Sequence, residues 1–253
     1  MCTLHLFHRV FPDTPVLFAA NRDEDLDRPW APPAVLADKP WCYGPRDLTA
    51  GGTWLGVNQW GVLASLANHY GTLRGGSASL CSRGTVVLDA LRHANARAAM
   101  EAAVASAPVC KSYTLLLADP EAAYVVDQSA EGTHWQPLET GCHVITNERF
   151  GDPQDAKAIR CRARMGALRG RPTPEPADLF TLLSDHQPAA TGASPLCIHP
   201  APGSRFGTSS ASVIAIDPAR KLRGFWFAPG PPCTTQARDY APDETAKGAP
   251  LMP

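Results

Sequence analysis

The strongest constraint on the fold is a repeated pairing of short β-like runs through turn-rich connectors. "CTLHLFHRV" and "PVLFAAN" are joined by "FPDT", and this reads as an antiparallel hairpin. "TWLGVNQWGVLASLANHY" repeats the arrangement, with Asn58 to Gly61 at the turn. "YTLLLAD" and "AAYVVDQS" form a third hairpin around Pro120 and Glu121. "CHVITNERF" is a further strand, and "ASVIAID" and "KLRGFWFA" close the chain. Helical spacing of apolar residues covers Thr85 to about Ala105, residues 153–169 and residues 175–185. The Pro-rich stretch 29–50 reads as irregular, and 70–83, with its Gly and Ser, as a loop. Hairpins and helices in segregated runs predict an α+β domain with antiparallel sheets, not a doubly wound parallel sheet. A single domain over 1–253 is expected, with an irregular tail over 234–253. There is no GxGxxG or Walker pattern and no internal repeat.

Composition narrows the function classes. A hydrophobic fraction of 44% fills a real core, and a net charge of -1 gives no case for nucleic acid or an anionic membrane. No apolar stretch approaches the ~20 residues of a spanning helix. The start lacks a basic region ahead of an apolar run, so no signal peptide and a cytoplasmic location are expected. The eight cysteines show no CxxC spacing and are expected to be mostly buried free thiols.

One of them is distinctive by position. Removal of Met1 would give Cys2 both a thiol and a free α-amine, a nucleophile and a base on one residue. If "PVLFAAN" pairs with the first strand, its end returns toward Cys2 and brings the block Asn21, Arg22, Asp23 and Glu24 with it. Asp23 is placed to accept from the α-ammonium, and Arg22 to meet a substrate carboxylate or oxyanion. Asn68 and Asn147 each end an apolar strand, where a neutral amide can stabilise an oxyanion. Each feature also has an ordinary reading as strand-end turn chemistry. For the histidines the ordinary reading is preferred. Cys2 and His8 share a strand face but His5 points the other way, and Cys197 with His199 is a pair without further ligands, so no metal is expected.

Taken in order, Cys2, "NRDE" at 21–24, "GGTWLG" at 51–56, "LASLANHY" at 63–70, "SRG" at 82–84 and "GTSSASV" at 207–213 resemble the NRDE-motif family, that of transport and Golgi organisation protein two. That family in turn resembles N-terminal nucleophile hydrolases of the choloylglycine hydrolase and penicillin V acylase kind. The resemblance implies a four-layer αββα sandwich in which an N-terminal cysteine attacks an amide. It places catalytic roles on Cys2, Asp23, Asn68 and Asn147. Asn21, Arg22, Trp54, His69 and Arg205 are the expected substrate-binding residues. The hydrolases carry an arginine three residues before the aspartate; here Ala20 stands there, and Arg22 shares its strand parity. The usual "GTRSS" reads "GTSSAS", with Ser209 in place of the arginine.

The expected activity is cleavage of an amide or thioester, or acyl transfer, with no cofactor. The rival reading is a non-catalytic carrier of haem, acyl-CoA or lipid using the same pocket, with Trp30, Trp54 and Trp60 as apolar walls.

Overall fold

The structure is a computed structural model and describes residues 2–69, 81–106, 111–170, 172–188 and 194–242. The first hairpin forms as expected, with β1 (Cys2–Phe11) and β2 (Thr14–Asp25) turning at Pro12 and Asp13. Next come β3 (Trp30–Asp38), β4 (Trp41–Asp47), β5 (Leu55–Asn58) and β6 (Leu63–Asn68). Two helices follow, α1 (Arg83–Ala90) and α2 (Ala96–Ser106). The third hairpin, β7 (Tyr113–Ala118) and β8 (Ala123–Ser129), leads to β9 (Gly132–Pro137) and β10 (Gly141–Ile145). Helices α3 (Ala156–Arg169) and α4 (Pro176–Leu183) precede β11 (Phe206–Ile216), β12 (Leu222–Ala228) and β13 (Arg238–Asp239).

The strands form two antiparallel sheets. One has the order β10-β1-β2-β11-β12-β13, the other β3-β4-β5-β6-β7-β8-β9. Side-chain alternation on each strand then builds the layers. Leu4, Leu6, Val16 and Phe18 of the first sheet meet Val57, Leu63, Leu116 and Val125 of the second in a core between the sheets. The opposite face of the first sheet presents Phe7, Leu17 and Val213 to Met165 of α3 and Leu179 of α4. The opposite face of the second presents Leu66, Leu115 and Leu117 to Val87 of α1 and Met100 of α2. The result is the expected four-layer αββα sandwich. A fully buried Phe18 alone contributes roughly 1.5–3 kcal/mol of hydrophobic stabilisation.

Three sequence expectations need correction. Residues 29–50 are not irregular; they form β3 and β4. Proline hid them. Pro32 and Pro33 fall within a register shift between Ala31 and Ala34, and β3 is an edge strand, where proline is tolerated. The other edge strand of that sheet, β9, is mostly exposed and lacks an apolar alternation to read. His5 and His8 are buried, because β1 lies inside a sheet covered on both faces. Arg83 belongs to a helix rather than the 70–83 loop, whose residues 70–80 lie outside the described set. Within the supposed tail, Arg238–Asp239 pairs with Trp226 and Phe227 of β12. Among the described residues, no helix is long and apolar enough to cross a membrane.

Candidate active site

Cys2 is the first residue of β1, and its backbone partner across the hairpin is Arg22. Both side chains share the parity of the inter-sheet face and both are buried. They open into a cavity of about 410 Å³ that also reaches Trp54 and Asn68. The expected return of β2 toward Cys2 is therefore real, but β2 continues through Asp25 instead of turning at the polar quartet.

Arg22 is held on several sides. Its guanidinium carbon lies 4.3 Å from the centroid of the Trp54 ring, a cation–π contact. Its Nη1 donates to Ser209 Oγ at 2.8 Å, and Ser209 Oγ donates to the Arg22 carbonyl at 3.1 Å. Asp47 lies 3.6 Å away and Glu24 3.8 Å. Thus Ser209 anchors Arg22 through both its guanidinium and its backbone carbonyl. Burial lowers the Arg22 pKa from its ordinary value, against the carboxylates that favour the charge.

The neighbouring residues on β2 point the other way. Asp23 is buried and Thr208 Oγ1 donates to its Oδ1 at 2.7 Å. Burial pushes this carboxyl upward, while Thr208 works in the opposite direction. Asn21 is fully buried, and its amide donates to the carbonyls of Leu183 and Leu196 at 2.9 and 2.8 Å. It clamps the chain around α4 against β2 and does not line the cavity, which corrects its expected substrate-binding place.

Asn68 and Asn147 come together across the two sheets. Asn147 Nδ2 donates to the Asn68 carbonyl at 2.5 Å, while the cavity itself is lined by Asn68. His69 follows Asn68, but its backbone N–H serves Ser112 and it is not part of the cavity wall. Arg205, just before β11, is exposed, ion-paired with Asp27 and not among the residues lining the cavity, which corrects its expected substrate-binding place.

Several cavity residues are not among the expected site residues. Arg28 is bidentate on Asp47, with Nε at 2.7 Å and Nη2 at 3.2 Å. Burial works against the Asp47 carboxylate, but the Arg28 hydrogen bonds, the Ala50 N–H and the charges of both arginines hold its pKa below the usual value. Arg83 and Lys111 complete the wall. Arg83 reaches it because glycine meets glycine. A Cβ on Gly52 would lie 2.5 Å from the Gly84 carbonyl carbon, so only glycine lets the start of α1 pack on the 51–54 segment. Thr53 N–H donates to the Gly84 carbonyl at 3.2 Å across this contact. The motifs "GGTWLG" and "SRG" are thus two sides of one junction. Cys81, at the rim, is disulfide-bonded, which corrects the expectation of free thiols at this position. Sequence spacing does not show which thiols a fold brings together. The Cys2 thiol is free, and burial pushes its pKa up.

Three solved structures share this architecture. A mutant of the conjugated bile acid hydrolase from Clostridium perfringens has a TM-score of 0.61 at 12% identity, covering 96% of this chain and 98% of its own. Penicillin V acylase from Agrobacterium tumefaciens gives 0.60 at 15%, with 90% and 83% covered. The Caenorhabditis elegans orthologue of N-acylethanolamine-hydrolyzing acid amidase gives 0.56 at 14%, with 86% and 93% covered. These similarities identify the fold as that of the N-terminal nucleophile hydrolases. No curated protein matches the chain by sequence. The family description Transport and Golgi organisation 2 matches residues 1–225, and the chain belongs to that family.

Proposed function

We propose that the protein is a cysteine N-terminal nucleophile hydrolase that cleaves an amide or thioester after removal of Met1. The observation that carries this reading is Cys2 at the start of β1, paired with Arg22 and lining a cavity of about 410 Å³. The solved structures that share the fold are named as a hydrolase, an acylase and an acid amidase, which supports a hydrolase reading.

In this mechanism the freed α-amine takes the Cys2 thiol proton, and the thiolate attacks the substrate carbonyl. Asp23 holds the amine. The Asn68 amide stabilises the oxyanion, and Asn147 fixes Asn68 through its carbonyl. The ammonium proton passes to the leaving amine or thiol, and water then releases the acyl group from Cys2. No cofactor takes part. Burial raises the thiol pKa, so the amine and Arg22 serve to favour the thiolate against desolvation.

The charge of the wall supports a narrower substrate class. Arg22, Arg28, Arg83 and Lys111 face two carboxylates, Glu24 and Asp47. That excess of cations fits a substrate with an anionic group, such as a carboxylate or phosphate near the scissile bond.

The test is a panel of acyl amides and acyl thioesters, neutral and anionic, run on wild type and Cys2→Ser, with intact mass recorded for both. Turnover of anionic members that falls at least about 10³-fold in Cys2→Ser is expected, together with loss of Met1. Retained Met1 in active protein sinks the amine mechanism. Tight haemin or acyl-CoA binding with no turnover by wild type replaces the enzyme reading with the carrier.

A further inference from the structure

A second cluster of reactive side chains lies outside the cavity. His186 follows α4, Cys197 and His199 lie on the segment leading to β11, and Cys233 lies in the loop after β12. One ligand atom from each falls within 4.8 Å of the other three. We propose that these four residues form a tetrahedral zinc site with two thiolate and two imidazole ligands.

Three of the six edges between the ligand atoms are close to those of a tetrahedral metal site, and all six lie within 4.8 Å. Zinc–sulfur bonds of about 2.3 Å and zinc–nitrogen bonds of about 2.05 Å at tetrahedral angles require edges of about 3.8 Å for S···S, 3.3 Å for N···N and 3.6 Å for N···S. The corresponding distances are 3.6 Å between the Cys197 and Cys233 sulfurs, 3.1 Å between the His186 and His199 Nε2 atoms, and 3.2 Å from His199 Nε2 to Cys233 Sγ. The two sulfurs are free thiols, well beyond the ~2.05 Å of a disulfide. The two imidazoles stack at 18° with centroids 5.1 Å apart, and their Nε2 atoms lie side by side next to the Cys233 sulfur. Borderline-soft zinc suits this mixed sulfur and nitrogen set, and four protein donors leave no position for a substrate. The site is therefore structural.

The support behind the ligands is already built. The Asp185 carbonyl accepts from the backbone N–H groups of Leu196 and Cys197, at 3.1 and 2.9 Å. The Asp185 carboxylate is held by Arg160 at 2.7 Å and Arg164 at 3.2 Å, from α3. This fixes His186 and Cys197 relative to each other before metal arrives. The site would tie three segments together: the one after α4, the one before β11 and the one after β12. Between two of the ligands, Ile198 N–H donates to Thr208 Oγ1 at 2.9 Å and its carbonyl accepts from Thr208 N–H at 2.8 Å. Thr208 in turn donates to Asp23. Zinc would thereby steady the residue that holds Asp23.

The experiment measures metal directly and does not depend on turnover. The full chain is purified without chelator, and its zinc content is read by elemental mass spectrometry. Equimolar zinc is expected in wild type and in the controls Cys142→Ser and Cys2→Ser. Cys233→Ser and His199→Asn are expected to weaken zinc binding at least about 100-fold. Cobalt(II) added to chelator-treated wild type should give tetrahedral d–d bands and a thiolate-to-cobalt charge-transfer band, both absent in Cys233→Ser. Wild type that holds no more zinc than Cys233→Ser overturns the proposal. So does a Cys197–Cys233 disulfide in the freshly purified chain, or a cobalt spectrum unchanged by Cys233→Ser. Each readout on wild type stands whether or not the variants fold.

Discussion

Acid should weaken this fold through one residue in particular, His5. Its side chain is fully buried on the helix-facing side of β1. Nδ1 lies 3.3 Å from the Ala19 carbonyl, which fits a neutral ring that donates there. Nε2 has no hydrogen-bond partner, so a second proton would bring a charge into the core with nothing to accept from it. Burial therefore drives the His5 pKa from 6.5 down to about 4, assisted by the positive charges of Lys157 and Arg164. Between these two values the unfolded chain binds a proton that the folded chain refuses, so stability falls as pH drops through this window. One pKa unit is worth about 1.4 kcal/mol, so the full window amounts to about 3 kcal/mol, and at about pH 5 the loss reaches about 2 kcal/mol. The perturbation is His5→Leu, and the assay is urea unfolding of both proteins at about pH 7.5 and about pH 5. Burial also lowers the His8 and His143 pKa values, but both groups are present in both proteins and cancel in the comparison. Wild type should lose about 2 kcal/mol more than His5→Leu on acidification. Equal losses would refute the assignment of a buried neutral imidazole.

Two further substitutions probe the packing around the site. Asn21→Ala removes both donors to the Leu183 and Leu196 carbonyls and should cost about 2–4 kcal/mol in urea unfolding, with KM unchanged for any substrate the wild type turns over. A large KM change with little loss of stability would return Asn21 to the substrate. Gly52→Ala puts a Cβ within 2.8 Å of three backbone atoms of Gly84, so α1 must shift and carry Arg83 with it. About 1–3 kcal/mol of destabilisation is expected by thermal unfolding, together with a raised KM for anionic members of the acyl panel; an unchanged midpoint would show that the junction has slack.

Much of the architecture is written in local pattern. The hairpins β1–β2, β5–β6 and β7–β8 follow from apolar runs and turn residues that act within a few positions of one another. The helices over α1, α2, α3 and α4 follow from apolar spacing and capping chemistry, as at Asp155, whose carboxylate accepts from Ala158 N–H. Cys2, Arg22 and Asn68 also declare themselves in sequence, because strand position and residue type alone make them notable. Strands β3 and β9 do not, since edge strands tolerate proline and exposed polar residues.

What only the tertiary structure decides is convergence. Register sets Cys2 opposite Arg22 and sends Asn21 and Asp23 to the other face, a difference that a one-residue slip would reverse. Arg28, Arg83 and Lys111 come from separate segments and form one wall only once the glycine junction and the strand ends are in place. His186, Cys197, His199 and Cys233 lack any motif spacing, yet the loops bring them within ligand distance. Hydrophobic periodicity and turn chemistry are short-range and survive in a linear reading. The meeting of side chains from distant segments depends on sheet register and layer packing, which no local stretch of sequence contains.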